Sequence, residues 1–262
     1  MEIYQNNLIY NHKTYTYVRD YPHFSMKHSH NTYEIIFFER GNAYYVIEGR
    51  KYKLQKNDII FTRPYSYHYI EIQSNSEYSR FNVAFDDTFI EDAILKSIPL
   101  SVEVVHCSNL NIIAENFKRM EYYSQLFDKE NFIKLLQGLL REILLNLAIS
   151  SREIIDIPSE ISPILSNALH YINDNLFTIK DLEDICNHLY ISKTYFFKLF
   201  KNQLKISPKQ YINLKRLIYA NTLIQQGKKP SEVCFACGFN SYVGFYKRYV
   251  KIFGHSPTKQ TD

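Results

Sequence analysis

The spacing of apolar residues along this chain changes character twice, and each change predicts a different kind of structure. Up to about residue 105 the apolar residues come in short runs: YEIIFFERG (33–41), AYYVIEG (43–49), DIIFTRP (58–64), HYIEIQ (68–73) and YSRFNVAF (78–85). Turn formers separate them, among them Gly41-Asn42, Glu48-Gly49 and Lys56-Asn57-Asp58. Short, closely spaced strands predict a β-barrel or sandwich over residues 1–105. From about Asn109 the period lengthens. One helix is expected over 111–127 and a second over 129–149. In the second, Phe132, Leu135, Leu136, Leu139, Leu140, Ile143, Leu144 and Leu147 fall at three- and four-residue spacing, which makes one wide apolar stripe. That stripe needs a cover, either the barrel or its own twin in a second subunit. The twin is preferred, so 106–150 is read as a helical dimerisation segment with its seam in 109–150. Residues 151–163 are polar, with Pro158 and Pro163, and read as a linker. Helical signals fill 164–261. The expected class is α+β, a sensing barrel followed by an all-helical domain.

The helical tail repeats one local plan. Thr178 is placed to cap a helix running through DLEDICNHL (181–189), Tyr190-Ile191 turns, and Ser192 caps SKTYFFKLFKNQL (192–204). Its core face is Phe196, Leu199 and Phe200, leaving Lys193, Thr194, Phe197, Lys198 and Lys201 on the other faces. Further on, Ser231 is placed to cap EVCFAC (232–237), Gly238 ends that helix, and Ser241 caps YVGFYKRYVKIF (242–253). Here Phe245 and Tyr249 face inward, with Tyr242, Val243, Lys247 and Arg248 outward. Helix, tight turn and basic second helix make a helix-turn-helix unit, about 181–203 and again about 230–253, whose second helix enters the DNA major groove. Between them PKQYINLKRLIYANTLIQQ (208–226) predicts a rigid helix of about 27 Å at 1.5 Å per residue. Such a brace suits two readers about one duplex turn, ~34 Å, apart. Within it Arg216 is expected to be a structural ion-pair partner rather than a base contact.

Charge supports this division. Residues 160–262 hold 14 Lys and Arg against 7 Asp and Glu, while the rest holds 17 against 20. The basic half points to a polyanion, double-stranded DNA. The 23 Tyr and 18 Phe, with no Trp, suit strands and stacking surfaces. The opening MEIYQNNLIYNHK has no apolar leader core, and no run approaches the ~18 apolar residues of a membrane span. The four cysteines (Cys107, Cys186, Cys234, Cys237) form no disulfide framework, and a cytoplasmic protein without membrane contact is expected. Cys234-x-x-Cys237 lacks a second metal-binding pair and is read as core packing.

Five strings in order carry a family resemblance: SKTYFFKLFK (192–201), SPKQYI (207–212), RLIYANTLI (216–224), EVCFACGFNS (232–241) and FGHSP (253–257). The tail, about 164–261, resembles the DNA-binding domain of the AraC/XylS regulators. That resemblance implies a transcription regulator, an activator working with RNA polymerase. It implies base-facing Thr194, Phe197 and Lys198 in the first unit, and Tyr242, Val243 and Lys247 in the second. Phe197 and Val243 suit thymine methyls and Lys198 a guanine edge. Lys193, Lys201, Lys205, Arg248 and Lys251 are expected on phosphates. The family's terminal Tyr-Arg pair is replaced by Gln260-Thr261.

In the front half, His28, His30 and Glu34 share one strand parity and so one face, and His68 follows a hairpin later. His28-x-His30-x3-Glu34-x6-Gly41 resembles the first cupin motif, whereas the second is poorly matched, with Asn57 in place of its first glycine. Three readings stay open for His28, His30, Glu34 and His68: a polar floor for a small organic effector, which is preferred; a divalent metal set; or structural histidines. No cofactor is assigned. Tyr33, Phe37, Tyr44, Tyr65 and Tyr67 are candidates either for stacking on an effector or for the core. No nucleophile constellation, P-loop or paired-carboxylate motif is present, so no catalytic residue is assigned. The alternatives are a metal-dependent cupin-type enzyme with a helical tail, and a regulator that takes no small ligand.

Overall fold

The computed structural model describes residues 1–5, 8–16, 30–73, 77–99, 102–106, 111–150 and 161–258. Two compact units emerge, the first drawn from residues up to 158 and the second chiefly from 159 onward. The expected linker lies almost wholly outside the described residues, as do His28, Cys107 and Gln260-Thr261.

The first unit runs β1 (Ile3–Gln5), β2 (Leu8–Thr16), β3 (Tyr33–Arg40), β4 (Ala43–Ile47), β5 (Arg50–Lys53), β6 (Asp58–Thr62), β7 (His68–Ile72), β8 (Glu77–Phe85), α1 (Asp92–Ser97), β9 (Val104–Val105), α2 (Asn111–Leu126) and α3 (Lys129–Ser150). A six-stranded sheet, β1-β2-β8-β3-β6-β9, faces a three-stranded one, β5-β4-β7. The continuous apolar run of β3 has a simple cause: both of its faces are covered. Ile36 and Phe38 join Ala43, Tyr45, Ile47 and Ile60 in the core between the sheets. Ile35 and Phe37 join Ile59, Phe61, Phe81 and the helices on the other side. β4 and β5 are joined by Glu48-Gly49, both at positive φ (46° and 82°), the tight turn that a two-residue hairpin needs.

The stripe on α3 is not a free seam. Phe132, Leu136, Leu139, Leu140, Ile143, Leu144 and Leu147 are buried in the same core as Phe37, Phe81 and Phe85, with Leu135 half-buried. Of the two covers weighed from the sequence, the sheet is the one found. It wins because the six-stranded sheet exposes a second apolar face, formed by the odd-numbered residues of β3 and β6, that needs covering too. His12 on β2 adds a polar tie: its ring stacks on Phe81 at 3.8 Å and bonds Glu39 of β3 at 2.7 Å and Glu121 of α2 at 2.8 Å.

The second unit runs α4 (Pro163–Asp174), α5 (Leu182–Leu189), α6 (Lys193–Leu204), α7 (Pro208–Gln225), α8 (Pro230–Ala236) and α9 (Tyr242–Phe253). Ser192 and Ser241 cap α6 and α9 as expected, accepting from Tyr195 N and Gly244 N. Two caps differ. α5 is capped by Asp181, in a capping box with Asp184, while the Thr178 hydroxyl donates to the Asn175 carbonyl. α8 begins at Pro230 after Lys229, which places Ser231 inside the helix; proline at the first helical position supplies the start without a side-chain cap. Tyr190 ends α5 in the left-handed region at φ 55° and is 95% exposed. Since glycine takes that conformation freely, Tyr190→Gly is expected to raise stability by about 0.5–1 kcal/mol. Urea denaturation measures it, and an unchanged or lower midpoint refutes the expectation.

Candidate DNA interface and effector site

α6 and α9 each bury one face and expose the other. On α6, Phe196, Phe200 and Leu204 are fully buried while Thr194, Phe197 and Lys198 are exposed. On α9, Phe245 and Tyr249 are buried, Val243 (63% exposed) and Lys247 lie outside, and Tyr242 is half-buried against Phe245. Tyr242 thus packs with one side and offers the other. Phe197 is 42% and Val243 63% exposed, both on the outer faces of their helices.

Lys193 is exposed and ion-paired with Glu183, which raises its pKa. Lys201 lies over the Phe197 ring at 5.9 Å. Lys205, the left-handed C-cap of α6, and Lys251, in the last turn of α9, are exposed. Arg248 lies along α9, its Nη1 donating to the Gly244 carbonyl at 2.8 Å.

α7 fastens both helices. Phe200 of α6 meets Tyr211 edge-on at 5.3 Å, and the Tyr249 hydroxyl of α9 donates to Asn221 Oδ1. The attachment points are ten residues apart on α7, about 15 Å along its axis. Between them Arg216 corrects the expectation of an ion pair. Its Nε donates to the Leu176 carbonyl at 2.8 Å, Nη2 to Ile179 at 2.6 Å and Nη1 to Gly238 at 2.8 Å. One buried guanidinium therefore ties the segment leading into α5 to the turn between α8 and α9. Its partners are main-chain carbonyls, which no side-chain pattern announces. Gly238 is held at φ 79°, and a Cβ there would sit 2.6 Å from the Phe177 carbonyl oxygen. Cys234 and Cys237 are buried in the core beside Phe239 and Phe245, and burial pushes the Cys237 thiol up to about 11.

In the first unit, Glu34 of β3 and His68 of β7 meet between the two sheets, His68 Nε2 3.4 Å from Glu34 Oε2. His68 Nδ1 donates to the Ser66 carbonyl at 2.8 Å, which turns Nε2 toward the carboxylate. The Tyr45 hydroxyl donates to Glu34 Oε2 at 3.0 Å and lies 3.4 Å from Thr62 Oγ1. Burial, then the Glu34 charge, push the Tyr45 phenol well above its ordinary value. Ligand atoms of His30, Glu34 and His68 lie within 4.8 Å of one another; two imidazoles and a carboxylate are donors that suit a divalent transition metal.

Tyr45 was not among the residues expected here. Its signal was alternation along β4, which points Ala43, Tyr45 and Ile47 to the same side. Phe37 and Tyr33 face away from Glu34: Phe37 stacks on Phe117 at 4.8 Å, and Tyr33 lies against Phe61 and Phe85 at 5.8 and 5.7 Å. Tyr44 lies beneath Lys51 and Lys53, and Tyr67 is buried with its ring edge-on to Tyr69.

Two capped helix pairs on one brace, joined in a single chain to a two-sheet unit with a buried polar cluster, define a DNA-binding regulator of transcription with a sensing domain. Family comparison agrees in both halves: residues 185–261 match a helix-turn-helix domain, and residues 11–154 match the AraC-like ligand binding domain. The chain belongs to the AraC family of transcriptional regulators.

The protein is 24% identical over 252 residues to the HTH-type transcriptional regulator YfiF of Bacillus subtilis, covering 89% of this chain and 77% of that one. It is 22% identical over 240 residues to the transcriptional activator RhaS of Escherichia fergusonii, covering 88% and 85%. Over 91 residues it is 34% identical to the probable transcriptional regulator LumQ of Photobacterium leiognathi, about a third of this chain and 37% of that one. Among solved structures, ToxT from Vibrio cholerae O395 aligns over 97% of this chain and 95% of its own at 16% identity, with a TM-score of 0.42. No helix among the described residues is long and apolar enough to cross a membrane.

Proposed function

We propose that this regulator activates transcription when a small effector occupies the polar cluster in its first unit. DNA would be read by Thr194, Phe197 and Lys198 of α6 and by Tyr242, Val243 and Lys247 of α9. Lys193, Lys201, Lys205 and Lys251 would hold phosphates. The observation that carries this reading is the pairing of two serine-capped basic helices, each buried on one side and open on the other, on a common brace. Activation is supported by the likeness to RhaS, and it makes RNA polymerase the second macromolecular partner.

The effector site is centred on Glu34 and His68, with His30 beside them; a buried carboxylate already oriented by a tyrosine suits a hydroxylated organic molecule. Homodimerisation through α2 and α3 remains part of the proposal, now on their outer faces. Tyr122, Leu126, Leu145 and Ile149 are 47–72% exposed although the stripe beneath them is covered. The buried free thiols Cys186, Cys234 and Cys237 fit a reducing cytoplasm.

Selection from a randomised duplex library with the full chain tests the DNA reading. A defined site is expected, and enrichment of no sequence over background rejects it. On that site Lys201→Ala with Lys251→Ala should reduce the slope of log affinity against log salt by about 1.8, or ~0.9 per phosphate contact, without changing base preference. An unchanged slope removes those lysines from the interface.

A further inference from the structure

Gly244 is the third residue of α9, a place where glycine is among the poorest helix formers. Two common reasons for a glycine are missing. Its φ is not in the left-handed region, and no core atom crowds it. A Cβ at 244 would meet Arg248 Nη1 at 2.9 Å, with Ser241 Cβ and Oγ next at 3.9 Å. The space where a side chain would be is therefore taken by the Arg248 guanidinium, whose Nη1 donates to the Gly244 carbonyl at 2.8 Å. Gly244 leaves a notch, and Arg248 lies in it.

This geometry changes what Arg248 can reach. Extended outward, an arginine at this point of the helix would meet the phosphate backbone. Laid back one turn, its guanidinium sits against Gly244, in the first turn of α9. In a helix-turn-helix unit that end of the second helix goes deepest, to the base edges. The bond to the Gly244 carbonyl uses one N–H of the guanidinium and leaves four, enough for a two-bond fork on guanine O6 and N7.

We propose that Arg248 reads a guanine in the part of the site contacted by α9, and that Gly244 is the residue that positions it. The inference rests on the reading of α9 as a DNA reader and replaces the expected phosphate role of Arg248.

The test uses full-length wild type, Arg248→Gln and Gly244→Ala. Each is selected against a randomised duplex library, titrated at several salt concentrations and melted. Wild type is expected to prefer guanine at one position by roughly ten- to a hundredfold. Arg248→Gln should lose that preference, keep the others and leave the salt slope nearly unchanged. Gly244→Ala should melt at the same or a higher temperature, because alanine improves the helix and only a movable side chain must give way, yet lose most of the same preference.

A phosphate role predicts the reverse for Arg248→Gln: affinity falls evenly across sequences, the slope drops by about 0.9 and guanine stays preferred. That result overturns the proposal, as does full guanine preference in Gly244→Ala, or a wild-type site with no guanine in the α9 half. A wild-type protein that prefers no sequence at all brings down the underlying DNA reading as well.

Discussion

Arg216→Ala is expected to destabilise the second unit by about 3–5 kcal/mol and to abolish specific DNA binding at 37 °C. Three main-chain carbonyls, those of Leu176, Ile179 and Gly238, lose their donor at once. A buried acceptor left without a partner costs about 1–3 kcal/mol; the bond to Ile179 is buried and the other two are part-buried, so the three losses do not sum in full. Lysine should not rescue, since a single ammonium cannot span three acceptors served by a planar fork. Hydrogen exchange on the full chain gives the readout: protection should fall throughout α5–α9 together, because the guanidinium joins the lead-in of the first helix pair to the turn of the second. Loss confined to α7, or a stability change below about 1 kcal/mol, would show that Arg216 is not the tie described.

Leu140→Ala is expected to cost about 2–5 kcal/mol and to do so independently of protein concentration. Leu140 is fully buried, in one core with Phe37, Phe81 and Phe117. Removing most of its side chain leaves a cavity between α3 and the six-stranded sheet. Ile149→Ala, on the outer face of the same helix and 72% exposed, should leave folding stability within about 0.5 kcal/mol and weaken self-association instead. Unfolding curves at two protein concentrations a hundredfold apart separate these effects. A Leu140→Ala loss that grows on dilution would mean that the stripe is an intersubunit seam after all.

Most of the strands that the sequence announced lie inside their sheets: β3, β4, β6 and β8 each have a neighbour on both sides, while β7, an edge of the smaller sheet, is announced by its own apolar and aromatic residues. β2 was not visible in the pattern. Its Asn11-His12-Lys13 interrupts the apolar run, and the strand exists because residues 8–16 pair along their length with 85–77 of β8. β5, Arg50–Lys53, is likewise polar and is held as an edge by its hairpin. In the candidate site Glu34 and His68 were legible from motif and parity, and the structure places them 3.4 Å apart. Tyr45, which orients Glu34, was not, because its role depends on a second sheet lying opposite the first.

Local chemistry accounts for what the sequence alone determined. Serines at 192 and 241 start helices, glycine at 238 ends one, and the alternation of lysine with buried phenylalanine marks which helices face outward. These signals act within a few residues, so they survive without knowledge of the fold. Tertiary structure decided everything whose partner is distant in sequence: that the α3 stripe covers a sheet, that Arg216 binds carbonyls 22 to 40 residues away, and that Arg248 lies back over a glycine instead of reaching outward. The physical reason is the same in each case. An apolar face or a cation needs a partner, but only the packed chain determines which of several possible partners is in reach.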